Sequence, residues 1–196
     1  MSKADMDHWR RITQDLVKLK NTSEMMIDLA YTAVLLNSRY IAEEVQLLEE
    51  QMDELHIDFQ CRVLTRTEED ANPRDLLGII RMGNITERIA DAAAEIAEVV
   101  LRGIEPHPVL EMVIQDAEET VERVVVGEGS PVAGKTLKEA AIADETGMWV
   151  LVIRRDNKWI RPGPDTVLLP GDVVIASGYS EGEEDFKNLL TGQIQK

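Results

Sequence analysis

Residues 81–97 read Arg81-Met82-Gly83-Asn84-Ile85-Thr86-Glu87-Arg88-Ile89-Ala90-Asp91-Ala92-Ala93-Ala94-Glu95-Ile96-Ala97, and their spacing decides the first half of the fold. Ile79 and Met82, then Ile89, Ala93, Ile96 and Val100, recur at the period of an amphipathic helix. Asn72-Pro73 breaks the chain ahead of this run, with Pro73 suited to a first helical turn, and Gly103 and Pro106 end it. Working outward, Ile41, Val45, Leu48, Met52, Leu55 and Phe59 form a second stripe. Trp9, Ile12, Leu16, Leu19, Met26, Ala30 and Ala33 form another, with Met25-Met26 and Trp9 read as core and Asn37-Ser38 as the turn between the two stripes. Residues 5 to 103 are therefore expected to make three long antiparallel helices, the first and third parallel. Leu110, Val113, Ile114 and Ala117 suggest a short fourth helix over 107–121.

The second half is written differently. Gly and Pro recur every few residues from Gly127 to Gly192, around apolar runs at Arg123–Val126, Met148–Ile153, Lys158–Ile160 and Val173–Ala176. Asp156-Asn157 predicts a tight hairpin turn, and Thr136–Ala143 and Glu183–Leu190 have helical spacing. The fold class expected is α+β in two domains. A three-helix bundle over 1–105 leads through a connection at 106–120 to a small α+β module at 121–196. A module of about 70 residues is small for an independent core and gains by dimerising.

Charge separates the halves further. Up to residue 120 there are 12 basic and 25 acidic residues, −13, and beyond it 9 basic and 12 acidic, −3, which together give −16. Such a field repels polyanions, so no nucleic-acid partner is expected. The single cysteine, Cys61, excludes an internal disulfide and a four-cysteine zinc site; it reads as a buried or inert thiol in a reducing, cytoplasmic setting. The longest apolar run, Met148–Ile153, is far shorter than the roughly 18 residues of a membrane span, and the first residues lack a signal-peptide core.

Two motifs bear on chemistry. Gly129–Thr136 satisfies G-x-x-x-x-G-K-[ST], the phosphate-loop pattern of a small ATPase. Pro131 removes an amide from that loop, and the last apolar run, Val173–Ser177, ends without a magnesium-holding carboxylate, so a turn with a helix N-terminus is the better reading. The second motif repeats. Asn21-x-x-Glu24-x-x-x-Asp28 and Asn84-x-x-Glu87-x-x-x-Asp91 place a carboxylate pair on one face of the first and third helices. Parallel helices bring Glu24, Asp28, Glu87 and Asp91 to similar height, a set of hard donors suited to Fe, Zn, Mn or Mg. Glu43-Glu44, Glu49-Glu50 and Glu68-Glu69-Asp70 read as solvated charge. No catalytic triad can be nominated from His8, His56 and His107, and no enzyme is expected.

The helix at 81–97 resembles the signature helix of the PhoU family of phosphate-transport regulators, over residues 8 to 105. The resemblance implies multinuclear metal binding at acidic-x-x-x-Asp pairs, matched by Glu87 and Asp91 and, in spacing, by Glu24 and Asp28. Ser130–Leu137, Val150–Arg155, Pro164–Asp172 and Val173–Gly178 resemble the C-terminal module of the TrkA/RCK regulators of potassium transporters and channels. That likeness implies a homodimeric, ligand-sensing regulator acting on a membrane cation channel or transporter; some members bind cyclic di-AMP. The corresponding hairpin residues here are Ile153, Arg155, Asn157, Ile160 and Pro162, with Arg155 suited to a phosphate and the apolar three to a purine. No G-x-G-x-x-G opens a strand-helix unit, so NAD is not expected. The expected function is thus a non-enzymatic, cytoplasmic regulator of potassium transport; the alternative is a metal-cluster-binding phosphate regulator of the PhoU kind.

Overall fold

The computed structural model describes residues 3–65, 73–103 and 119–192. It divides into two compact units, Met1–Ile104 and Glu105–Lys196.

The first unit contains α1 (Lys3–Leu35), α2 (Arg39–Leu64) and α3 (Pro73–Leu101). The turn between α1 and α2 has a local cause: Asn37 takes a left-handed φ of 44°, which Asn tolerates, and Ser38 caps α2 by accepting from the Ile41 amide. The direction of the helices follows from what meets at their ends. Arg62, in the last turn of α2, pairs with Asp15 near the start of α1 at 2.6 Å. Arg39, at the start of α2, reaches the carbonyl of Leu101 at the end of α3 at 3.4 Å. Both contacts require antiparallel neighbours, so α1 and α3 run parallel. Leu19, Met26, Ala30 and Ala33 of α1, Val45, Met52 and Phe59 of α2, and Ala90, Ala93 and Ala97 of α3 are fully or almost fully buried. Each large side chain among them contributes about 2 kcal/mol through removal from water. The alanines let α3 approach closely, and at Gly83 any Cβ would enter the Phe59 ring. Cys61 is exposed on α2, not buried.

The second unit is a four-stranded sheet with helices. It comprises β1 (Glu119–Val125), α4 (Leu137–Ala140), α5 (Ile142–Thr146), β2 (Met148–Arg155), β3 (Lys158–Ile160), β4 (Val173–Tyr179), a 3-10 turn at Ser180–Gly182 and α6 (Glu183–Thr191). The order is β1-β4-β2-β3 with every pairing antiparallel, so the last strand in sequence is central. Asp156 and Asn157 have φ of 49° and 60°, the two positive values that a tight hairpin needs. A bulge between Val150 and Val152 shifts the β2–β4 register. Val124, Met148, Ile153, Val174, Phe186 and Leu190 form the core on the helix-covered side.

Two expectations are corrected here. The helix expected over Thr136–Ala143 is broken into α4 and α5, because Ala141 adopts a left-handed φ of 46° after a capping box between Thr136 and Glu139. The helix expected over 107–121 gives way at Glu119 to β1, and its remainder lies outside the described residues.

Candidate functional site

The hairpin site of the second unit is organised by one ion pair. The guanidinium of Arg155, at the end of β2, donates from Nε to Asp172 Oδ1 at 2.7 Å and from Nη2 to Asp172 Oδ2 at 2.6 Å. Nη2 also donates to the carbonyl of Val167 at 2.7 Å, and the Leu169 amide donates to Asp172 at 2.8 Å. The Asp172 side chain is 1% exposed, so this carboxylate is removed from water and fully partnered. The hydrogen bond to Asp172 is the main reason the Arg155 pKa rises further. Arg155 is thus first a strut between β2 and the loop ahead of β4, and its Nη1 edge is what remains for an anion. Asn157 is exposed on the turn and accepts from Arg154 Nη2 at 2.9 Å, and Ile160 and Pro162 are half-buried beside the strand. Ile153 is 0% exposed within the module's core, so it supports this corner from behind and offers no open surface.

The phosphate-loop pattern dissolves on inspection of its amides. Every backbone N–H from Val132 to Lys138 donates inside the module: Gly134 to Leu168, Leu137 to Thr166, Lys138 to Pro164 and Thr136 to the Glu139 carboxylate among them. A phosphate cradle needs those amides free. The Thr136 hydroxyl donates to Glu139 at 2.8 Å, and the helix that follows has four residues.

In the first unit the carboxylates gather differently from the expected arrangement. Oxygens of Glu49 and Asp53 on α2 and Asp91 on α3 lie within 4.8 Å of one another. Glu87 belongs to the same neighbourhood: its pKa is raised first by burial and next by Asp91, while His56 lowers it. Glu49 is raised first by burial, then by Asp53, Asp91, Glu50 and Glu87. The neighbour of the Glu87/Asp91 pair is therefore α2, through a Glu49-x-x-x-Asp53 pair of identical spacing, of which only Glu49 falls in a run read as solvated charge. The other flank of α3 explains why. Ile85, Ile89, Ala92 and Ile96 face Ile27 and Tyr31 of α1 across an apolar groove of about 510 Å³, leaving the carboxylates on the flank toward α2. On α1, Glu24 takes the Lys20 ammonium at 2.8 Å, and burial lifts Asp28 from 3.8 to about 6. Neither belongs to the three-carboxylate group. Hard oxygen donors crowded at like charge are a chemically suitable set for a divalent cation.

A helical unit with acidic pairs and a strand-rich unit with a strutted hairpin define a two-domain architecture, and the family models identify both parts. Residues 16–100 match the PhoU domain and residues 121–191 the TrkA-C domain, so the chain joins a PhoU domain to a TrkA-C domain. It is 38% identical over 82 residues to "Probable potassium channel protein 2" of Methanocaldococcus jannaschii, covering 40% of this chain and 24% of that protein. It is 32% identical over 82 residues to "Potassium channel protein 1" of the same organism, covering 41% and 24%. The chain thus spans about a quarter of the length of these curated relatives. A solved RCK_C domain dimer of S. agalactiae BusR in complex with c-di-AMP is 26% identical, with 37% of this chain and 97% of that chain covered at a TM-score of 0.35. No helix among the described residues is long and apolar enough to cross a membrane.

Proposed function

We propose that this chain is a cytoplasmic, non-enzymatic regulator of potassium transport, in which the TrkA-C module senses a nucleotide ligand and the PhoU bundle passes that state to a membrane channel or transporter. The observation that carries the reading is the TrkA-C match together with 38% identity to a potassium channel protein. The ligand site proposed is the hairpin corner: the Nη1 edge of Arg155 for a phosphate, Asn157 for a polar group, Ile160 and Pro162 for a base, with Ile153 behind them. A homodimer is part of the proposal. Trp149 and Tyr179 share one face of the sheet on neighbouring strands and are 54% and 52% exposed, an apolar patch open to a second copy. The −16 charge favours a cationic or neutral partner surface over a nucleic acid.

The test is calorimetric titration of the purified protein with cyclic di-AMP, with ATP and magnesium as the comparison. Saturable binding at one per dimer is expected. Arg155→Lys keeps a charge for Asp172 but loses the guanidinium edge, and it should weaken binding at least tenfold while the module stays folded. No binding of either nucleotide, or equal affinity in Arg155→Lys, would overturn the ligand site.

A second reading has its own observation, the grouping of Glu49, Asp53 and Asp91 beside Glu87. PhoU domains are expected to hold metal at such pairs, and these four carboxylates would hold it here; a divalent ion relieves their mutual repulsion and braces α2 against α3. The α1 pair, Glu24 and Asp28, stands in this proposal as a second, separate position. Elemental analysis of protein purified without chelator should find at least one Fe, Zn, Mn or Mg per chain, and a metal-free result sinks the reading.

A further inference from the structure

The outer flank of α3 carries a second apolar stripe, separate from the alanines that face the bundle core. Met82, Ile85, Ile89, Ala92, Ile96 and Val99 follow one another at spacings of three, four, three, four and three, the a and d positions of a sustained heptad. Met82, Ile85, Ile89 and Val99 are 55%, 54%, 39% and 49% exposed, and Ala92 is exposed among them. The outward face of a bundle helix is ordinarily polar, whereas an a/d seam is the pattern by which one helix packs along another. The apolar groove of about 510 Å³ follows this seam, with Ile27 and Tyr31 of α1 as its far wall. Along the opposite edge, at the g positions, stand Arg81, Arg88, Glu95 and Arg102, all exposed. That edge is mostly cationic in a half of the chain whose net charge is −13.

We propose that this seam is a self-association surface, on which α3 of a second copy lies antiparallel across a two-fold axis. Antiparallel pairing sets each a residue against a d residue, and one register satisfies the whole seam. Met82 meets the partner's Val99, Ile85 the partner's Ile96 and Ile89 the partner's Ala92. In the same register Arg88 stands opposite the partner's Glu95 on the g edge, and the two-fold repeats that ion pair. Arg81 meets the partner's Arg102 at each end, where Glu98 already holds the Arg102 guanidinium at 3.1 Å. A parallel pair would instead set g against e, where Thr86 and Ala93 are buried in the bundle and offer Arg88 and Glu95 no charge. A second copy is the occupant because the seam complements itself in both packing and charge. This surface is distinct from the sheet face that carries Trp149 and Tyr179, and it depends on neither ligand nor metal.

Cysteine cross-linking of the full chain tests this, in a Cys61→Ser background that removes the single native thiol. Every other position substituted is exposed on α3, so the bundle core is untouched. Ala92→Cys lies beside the two-fold axis, and a short bismaleimide should join it into a covalent dimer. Met82→Cys alone should stay monomeric, because in the antiparallel register its own copy lies about 25 Å away along the helix. Adding Val99→Cys to Met82→Cys should restore the cross-link. Arg88→Glu should slow the Ala92→Cys reaction about tenfold by facing the partner's Glu95 with like charge, and adding Glu95→Arg should restore the rate. Arg88 and Glu95 are two turns apart on their own helix, so that rescue requires a second chain. Equal cross-linking of Met82→Cys alone and Ala92→Cys means a parallel or unspecific contact and overturns the proposal. No covalent dimer from Ala92→Cys, or no rescue by the reversed charges, also overturns it and leaves the seam to a different protein.

Discussion

The two units treat their carboxylates in opposite ways. In the TrkA-C module, Asp172 is 1% exposed and receives three hydrogen bonds, two from Arg155 and one from the Leu169 amide. In the PhoU bundle, Glu49, Asp53, Glu87 and Asp91 crowd together at like charge, and burial and mutual repulsion raise the pKa of Glu49 and Glu87. A paired buried carboxylate stabilises its loop, and losing its partner is costly. A crowded set opposes the fold that contains it, because each charge raises the cost of ionising its neighbours. The same residue type is therefore a paired strut in one unit and a mutually repelling set in the other, and the neighbours make the distinction.

The largest expected effect tests the structural side. Asp172→Ala strands the Arg155 guanidinium and frees the loop before β4, and it should lower the stability of the module by about 3–5 kcal/mol. Denaturant unfolding followed by Trp149 and Trp159 fluorescence would register the loss; an unchanged midpoint would break the contrast between the units.

Asp28 comes next. Its pKa rises from 3.8 to about 6 because burial disfavours the ionised carboxylate. A raised acid contributes stability below about pH 4 that is lost as the pH climbs through 6. Asp28→Asn should accordingly stabilise the bundle by about 2 kcal/mol at pH 7.5, with the gain fading to nothing below pH 4. Thermal melts of the two proteins across that range check both the sign and the window.

Glu49→Gln sharpens the comparison from the binding side. Removing one charge from the crowded set should stabilise the metal-free bundle by less than about 1 kcal/mol while weakening metal uptake, so stability and binding move in opposite directions. Destabilisation without metal would mean that Glu49 is itself a strut. The smallest expectation is nil: Lys135→Ala should leave nucleotide binding unchanged, because the amides of the surrounding loop are already committed.

Local signals made much of the fold legible. Pro73 opens α3, Ser38 caps α2 and Asp156-Asn157 turns the β2–β3 hairpin, each because a short-range backbone preference is enforced where it stands. The apolar stripes also identified which helix faces are buried. Glu49 and Asp53 escaped notice although they carry the same Glu-x-x-x-Asp spacing as Glu87 and Asp91. Spacing shows that two carboxylates share a helix face, and it is silent on which neighbouring helix that face meets. Arg155 shows the same limit: its type and place on the hairpin suggested an anion ligand, while its capture by Asp172, seventeen residues on, depends on the loop between them.

By itself the sequence determined the division into an acidic helical half and a Gly- and Pro-rich strand half, the helix count of the bundle and the hairpin, because hydrophobic period and turn chemistry act within a few residues. Only the tertiary structure decided that β4 inserts between β1 and β2 and that α3 presents Asp91 to Glu49 and Asp53. Those are contacts between residues far apart in the chain, and their geometry follows from how the buried stripes of whole elements pack.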